Sequence, residues 1–501
     1  MSNVRLLVGS IILLTFLVAG ALYTTLTPIW QAPDEPAHYN YIRFLATETG
    51  FPELTARCYD QPYLNELTTR HFPPELPITD LCYEFHQPPL YYLLATPIFV
   101  ASNGSIVALR SLSVLLGAGV VLLAFFIARE IFPNRRAIAL GTMAFVAFVP
   151  MHVAILASVN NDALAELILA GLLLLMVRRL VSPRRPSFKA DLLLGVLLGL
   201  GLITKSTVYI AIPLAAATLL LTESATARRH ASGSWNLNWP RFFKHSALVF
   251  GLALLVALPW YIRNAALYGG FDILGLNRHD SIVVGQLRTI DFLAEVGAPT
   301  YIGNSVATTF RSFWGQFGWM AVPMDSRTYL FLTLLTLIAL GGFLAFLAAL
   351  SSPATPAWRL TLEQRQALGL MALAILLIFL AYAWYNLTFV QFQGRYLFPG
   401  LIPLGIFFAL GLTEALNRRW AWWLAGGLAL ALIWVIVGWG LTGGLDKWAV
   451  VLIGLALSLV VSRIFIDRHW IRSTPWVMAA CYLGLILLTL ASPFWFVVPY
   501  L

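Results

Sequence analysis

Long apolar runs separated by short polar borders dominate this chain. The first covers residues 4–26, about the length that crosses a bilayer as a helix. Further runs follow at 110–128, 138–157 and 162–177, then two shorter ones, 192–203 and 208–221, split by Thr204-Lys205-Ser206. A seventh ends at Pro259-Trp260-Tyr261-Ile262-Arg263-Asn264, and residues 330–350 and 368–385 make an eighth and a ninth. Four more beyond Pro399 bring the expectation to about thirteen transmembrane helices. Two long polar stretches, residues 27–109 and 265–327, interrupt the pattern. In the first, residues 41–48 read as a short surface helix. His86-Gln87-Pro88-Pro89-Leu90-Tyr91-Tyr92 opens an apolar piece suited to the membrane interface. No internal repeat is evident, which counts against an inverted-repeat carrier.

Composition sharpens this picture. Of the 501 residues 59% are hydrophobic and 11% charged, with a mean hydropathy of +0.79. A soluble fold of this length does not bury that much apolar surface, so an all-α polytopic membrane protein is expected. The first run is longer than a signal-peptide core and lacks a small-x-small cleavage pattern, so it is expected to be retained. The net charge of +9 does not require a nucleic-acid partner. About twenty of the 32 Lys and Arg residues fall on alternate borders: Arg5, Arg129, Arg135, Arg136, Arg178, Arg179, Arg184, Arg185, Lys189, Arg228, Arg229, Arg241, Lys244, Arg359, Arg365, Arg418, Arg419, Arg463, Arg468 and Arg472. The positive-inside rule then gives a multi-pass protein of the inner (plasma) membrane with a cytoplasmic N-terminus. Asp34, Glu35, Asp60, Glu84, Asp162, Asp272, Asp280 and Asp291 fall on the opposite side. Acidic residues do not set topology, so this second asymmetry points to a functional outer face. Cys58 and Cys82 share the first outer loop, where they either bridge or remain free thiols.

The candidate chemistry begins at Gln31-Ala32-Pro33-Asp34-Glu35-Pro36-Ala37-His38-Tyr39-Asn40, directly after the first run. A helix entered at Pro36 sets Asp34 and His38 one turn apart, which suits a general base or a metal site. A plain capping box is the alternative. Asp162 follows Asn160-Asn161, both a capping cluster and a candidate site. Lys205 interrupts apolar sequence at a hairpin where Gly or Asn would serve a structural role better. Arg395, in Gln393-Gly394-Arg395-Tyr396, offers a planar fork for bidentate phosphate binding, and Gly394 permits close backbone approach. Pairing of Arg395 with an outer carboxylate is its structural alternative. Arg263 suits phosphate or, taken alone, snorkelling to lipid headgroups. Ionisable residues converging on one membrane boundary form a candidate site. In the second outer loop, Asp272, His279, Asp280 and Phe313-Trp314-Gly315-Gln316-Phe317-Gly318-Trp319 are expected to shape an acceptor cleft. Trp235 and Trp239 read as interfacial anchors.

These motifs resemble those of the GT-C glycosyltransferases. Asp34-Glu35 after the first helix, His86-Gln87-Pro88-Pro89-Leu90, Asn161-Asp162, Thr204-Lys205 and Pro259–Asn264 are similar, in order, to motifs of the protein O-mannosyltransferases and the lipid A aminoarabinose transferases. Pro33-Asp34-Glu35-Pro36-Ala37-His38 and Gln393-Gly394-Arg395-Tyr396 look most like a bacterial branch of that superfamily. The likeness covers roughly the first 400 residues. Many relatives carry a lysine where this chain has His86-Gln87, which leaves the role of His86 open. The resemblance implies a polyprenyl-phosphate-linked sugar donor used at the extracytoplasmic face, with Asp34 as general base or metal holder. A large soluble C-terminal domain of the oligosaccharyltransferase kind is not expected, which disfavours block transfer to protein asparagine.

Residue types and resemblance together give Asp34, Glu35 and Asp162 as catalytic candidates, and Lys205, Arg263, Arg395 and Tyr396 as binders of the donor phosphate. His38, His86 and Gln87 are the substrate-binding candidates. Asp34 and Asp162 are candidate ligands for Mg²⁺ or Mn²⁺. Residues 1–416 are expected to form the catalytic transmembrane module and 417–501 to add C-terminal helices. The expected function is an inverting glycosyltransferase moving a hexose or pentose to an envelope lipid, glycan or protein. The alternatives are a carrier or flippase for an anionic lipid or sugar phosphate, and a non-catalytic scaffold for envelope assembly.

Overall fold

The computed structural model describes residues 3–182, 187–228, 237–351, 358–442, 444, 446–465 and 469–501. Backbone groups in hydrocarbon must satisfy one another, so the apolar runs are helices throughout. Among the described residues nine helices are long and apolar enough to cross a membrane, from Leu7–Leu26 to Met478–Val497. Arg136–Ala147 with Pro150–Leu156 makes a tenth if the two, bent by 62°, form one span. Pro150 cannot donate a backbone bond, which explains the bend. Thr489 supplies a hydroxyl to the Phe148 carbonyl at that break, 2.9 Å away. The count falls below thirteen because Phe188–Leu202 has only 15 residues, the apolar part of the helix at Lys447–Ser462 is likewise short, and Asp162–Val181 carries Glu166, Arg178 and Arg179. Arg184, Arg185, Arg229, Arg468 and Trp235 lie outside the described residues, as do the side chains of Arg5, Arg228, Arg418, Arg419, Arg463 and Arg472.

Most of the helices share one apolar core, from Phe16 of the first helix to Tyr482 near the end, while Arg418–Thr442 and Lys447–Phe465 pack in smaller clusters of their own. Small residues allow the closest approach, between Ser326–Ser351 and Leu401–Ala415. A methyl on Gly342 would sit 2.0 Å from the Gly411 carbonyl oxygen.

Both long polar stretches fold over the same end of the bundle. In the first, the helix Glu35–Thr47 joins the helix entry expected at Pro36 to the short helix expected at residues 41–48, and its first two turns are buried. Pro36 pre-sets the first turn, and Ala37, Tyr41 and Ile42 face inward. Tyr41 stacks on Tyr92 of Leu90–Ala101, ring centroids 3.7 Å apart. Twelve residues span about 18 Å, so Leu90–Ala101 is too short to cross. Cys58 and Cys82 form a disulfide, the bridged alternative of the two. The second stretch folds as Leu276–Ile282, Thr289–Val296 and Ala298–Trp314, followed by a two-stranded hairpin, Gln316–Phe317 with Val322–Pro323. Trp319 Nε1 donates to the Trp30 carbonyl at 2.9 Å, tying the two stretches together.

Candidate active site

Asp34 occupies the turn between the first helix and Glu35–Thr47. Its φ is +65°, uncommon for a residue other than glycine. Its carbonyl accepts the His38 N–H at 3.1 Å and so starts the helix, but its carboxylate makes no capping bond. The capping reading therefore fails. Oδ1 instead accepts from the Tyr83 hydroxyl at 3.0 Å and Oδ2 from Arg395 Nη2 at 2.7 Å. Burial pushes this carboxyl up, but the Arg395 guanidinium, the His38 ring and the Tyr83 bond hold it below the usual carboxylate range.

Arg395 reaches Asp34 from a tight 3₁₀ turn, Gly394–Gly400. The Gly394 N–H donates to Ser312 Oγ at 2.8 Å. A Cβ on Gly394 would lie 2.3 Å from the Phe313 backbone nitrogen. The glycine is needed for close approach, as the sequence indicated, but to the backbone of Ala298–Trp314 rather than to a ligand.

A cavity of about 430 Å³ opens beside this pair, large enough for a sugar unit. Asp34, Arg395 and Tyr396 line it from one side, and Tyr59, Tyr83 and Glu84 come from the first loop. His279, Gln286 and Trp319 come from the second, with Gln391 and Gln393 beside Arg395. Aromatic faces mixed with amides and carboxylates suit a sugar's alternating apolar and hydroxylated surfaces. A second ion pair stands apart from the cavity lining, Lys205 Nζ to Asp162 Oδ1 at 2.6 Å. His38, 2% exposed, shares a 2.8 Å hydrogen bond with the Tyr92 hydroxyl. Burial and the Lys205 charge push its imidazole down to about 3, with Asp34, Asp162 and Arg395 also within electrostatic reach. His38 is thus a neutral group among four charges.

Glu84 was legible only as one more outer acid. Its Oε2 is buried without a hydrogen-bond partner, and burial, then the Asp34 charge, raise its carboxyl to about 7. The only sequence signal was its place two residues before His86 and two after a cysteine. His279 does reach the cavity, as does Trp319. Burial pushes His279 down to about 4 and His86 down to about 3; their rings lie 4.6 Å apart.

Other expectations are corrected. Glu35 is not at the cavity: it is 0% exposed, with Oε1 accepting from Arg110 Nε (2.7 Å) and the Val159 N–H (3.1 Å). Its Oε2 accepts from Arg110 Nη2 (2.6 Å) and the Trp30 N–H (3.3 Å). With its lone pairs committed, it serves structure. Arg263 does not reach the cavity either. It donates to the carbonyls of Phe51 and Pro52 and to Asn264, and lies over the Trp260 ring at 4.7 Å. His86 and Gln87 stand behind the wall, with His86 Nδ1 bonded to the Tyr83 carbonyl and Gln87 Oε1 accepting from Asn161 at 3.5 Å. Asp272 accepts the N–H groups of Asn277 and Arg278, and Asp280 pairs with Arg288, so neither shapes the cleft. The Mg²⁺ or Mn²⁺ expectation does not fit, because Asp34 and Asp162 each face a cation already. Among the described residues no group of three or more His, Cys, Asp or Glu is set to hold a metal.

Residues 86–262 match a family model described as dolichyl-phosphate-mannose-protein mannosyltransferase. The crystal structure of ArnT from Cupriavidus metallidurans in the apo state is similar over 99% of this chain and 78% of its own, with 16% identity and a TM-score of 0.52. The same protein bound to undecaprenyl phosphate gives 17% identity and a TM-score of 0.49 over 98% of this chain and 78% of that one. An Archaeoglobus fulgidus oligosaccharyltransferase tethered with an acceptor peptide gives 13% and 0.46, over 94% of this chain and 55% of that one. No curated protein matches the chain by sequence.

Proposed function

We propose that the chain is a membrane glycosyltransferase of the GT-C kind, a reading supported by the family model matched over residues 86–262 and by the similarity of fold, and that it moves a sugar from a polyprenyl-phosphate-linked donor to a hydroxyl of an envelope lipid, glycan or protein. The observation that carries this is a carboxylate and a guanidinium, Asp34 and Arg395, facing one sugar-sized cavity at a membrane-protein end. The family model matched by residues 86–262 is itself described by a dolichyl-phosphate-linked sugar, which supports the donor class.

In this reading the acceptor oxygen attacks the anomeric carbon as Asp34 takes its proton, and the bond to the phosphate breaks with inversion. The leaving phosphate gains negative charge, which Arg395 stabilises from the cavity wall and Lys205 from behind it. Tyr396 offers a hydroxyl beside Arg395, and the lipid tail lies along the apolar helices. In this reading the cavity opens on the extracytoplasmic side, the orientation the positive-inside rule expects from the basic borders. Purified protein in nanodiscs, offered labelled polyprenyl-phosphate sugars and envelope extracts, tests the proposal. Asp34→Asn should lower transfer about 10²–10⁴-fold, the usual worth of a general base, in protein that still folds. Undiminished transfer by that variant would reject the role.

A further inference from the structure

Resting on that reading of the cavity, we propose that the Asp34–Arg395 ion pair is a latch opened by the donor. The donor phosphate takes Arg395 for itself, and only then is Asp34 free to accept a proton.

Both partners face the cavity, Asp34 with 23% of its side chain exposed and Arg395 with 8%. In the resting arrangement each is compromised. Asp34 has one oxygen held by Arg395 and the other by Tyr83, so although each oxygen keeps a lone pair open, the guanidinium charge and the hydroxyl make it a weak base. The guanidinium is equally incomplete, because its Nε is buried with no hydrogen-bond partner. A buried donor without an acceptor is costly, and a phosphate oxygen would satisfy it. The backbone beneath Arg395 cannot swing, since Gly394 is pressed against Phe313, so the exchange belongs to the side chain.

Losing the guanidinium leaves Asp34 in a part-buried cavity beside Glu84, whose Oε2 also lacks a partner. Burial and a neighbouring negative charge both favour the protonated carboxyl. The carboxylate therefore becomes a stronger base when the donor arrives, and the phosphate's own charge adds to the effect. The balance is simple. The acceptor O–H proton goes to Asp34, and the new C–O bond forms as the anomeric carbon's bond to phosphate breaks. The phosphate keeps that electron pair, paired with Arg395. When the lipid phosphate leaves, Asp34 gives its proton to water and the latch re-forms.

The test is binding of undecaprenyl phosphate to the full chain in nanodiscs by calorimetry at pH 8, where Glu84 carries charge. Inorganic phosphate forms a second arm. Asp34→Asn frees Arg395 and should tighten undecaprenyl phosphate by at least about fivefold, the lower end of coupling between competing ligands. Glu84→Gln removes a nearby negative charge that does not hold Arg395, and sets the purely electrostatic baseline. Tightening in Asp34→Asn that exceeds this baseline supports the latch. Equal tightening in both variants overturns it, as does weaker binding by a folded Asp34→Asn, which would make Asp34 a positioner of Arg395. Tightening confined to inorganic phosphate also overturns it, since the cavity would then serve a free anion. Should the unaltered chain bind neither ligand, the donor-site reading itself fails, a result distinct from a latch that does not open.

Discussion

Glu35 and Arg110, 75 positions apart, meet through hydrogen bonds of 2.7 and 2.6 Å with side chains 0% and 2% exposed. Arg110 also donates to the carbonyls of Thr24, Thr27 and Pro28, the last turns of the first membrane helix and the start of the loop. One buried pair thus seals the corner from which Asp34 projects. Breaking a buried pair leaves an uncompensated charge, which costs about 3–5 kcal/mol. Glu35→Gln and Arg110→Leu should each lower the thermal midpoint strongly in detergent. A Glu35→Gln protein with an unchanged midpoint and abolished transfer would restore Glu35 to the catalytic set.

Glu84 predicts a pH dependence of stability. Its carboxyl is raised from 4.5 to about 7 by burial and by Asp34. The folded chain favours the neutral form, so the contribution is full below about 4.5 and is lost as pH rises through 7. The midpoint of the unaltered chain should fall between pH 5 and 9 relative to Glu84→Gln. Parallel curves for the two proteins would show that Glu84 is not held in this way. The contribution of Asp34, lowered rather than raised, has the opposite sign and is lost only as pH falls below the ordinary carboxylate range.

The disulfide fastens two walls of the cavity, since Tyr59 follows Cys58 and Tyr83 follows Cys82. Their rings meet edge to face at 5.7 Å. A cross-link across 24 positions is worth about 3 kcal/mol in the unfolded chain. Cys58→Ser with Cys82→Ser should lower the midpoint accordingly and loosen Tyr83 from Asp34, so transfer falls as well. Two free thiols in mass spectrometry of the non-reduced protein would contradict the bridge.

Gly394→Ala should be far more damaging than its single methyl suggests. The added carbon meets Phe313 backbone atoms at 2.3 and 2.4 Å, and a backbone within a helix cannot yield locally. The turn must shift, carrying Arg395 with it. Misplacing a charge by about 1 Å costs transfer about 100-fold. A kinetic comparison with unaltered protein checks this, and normal turnover would place the phosphate contact elsewhere.

Much of the architecture could be read before any coordinates. Apolar runs of bilayer length leave the backbone one solution, so the helices and the two folded loops between them followed from hydropathy. The local chemistry of Asp34 and Arg395 was legible because a carboxylate and a guanidinium at membrane borders are costly without a purpose. What the pattern could not separate was Asp34 from Glu35. These neighbours have the same charge, yet a left-handed turn at Asp34 sends its carboxylate to the cavity, while Glu35 enters the helix facing Arg110. Glu84 stayed hidden because its character comes from burial beside Asp34, a neighbour 50 positions away. Arg263 looked like a phosphate binder until the folded loop offered it the carbonyls of Phe51 and Pro52.

Hydropathy is additive along the chain, so order and composition alone were enough to specify a bundle of membrane helices with a polar end. Charge pairing is not additive: it depends on which groups meet across 361 positions, as Asp34 and Arg395 do, and on how much water is left between them. Those two quantities exist only once the chain has closed on itself.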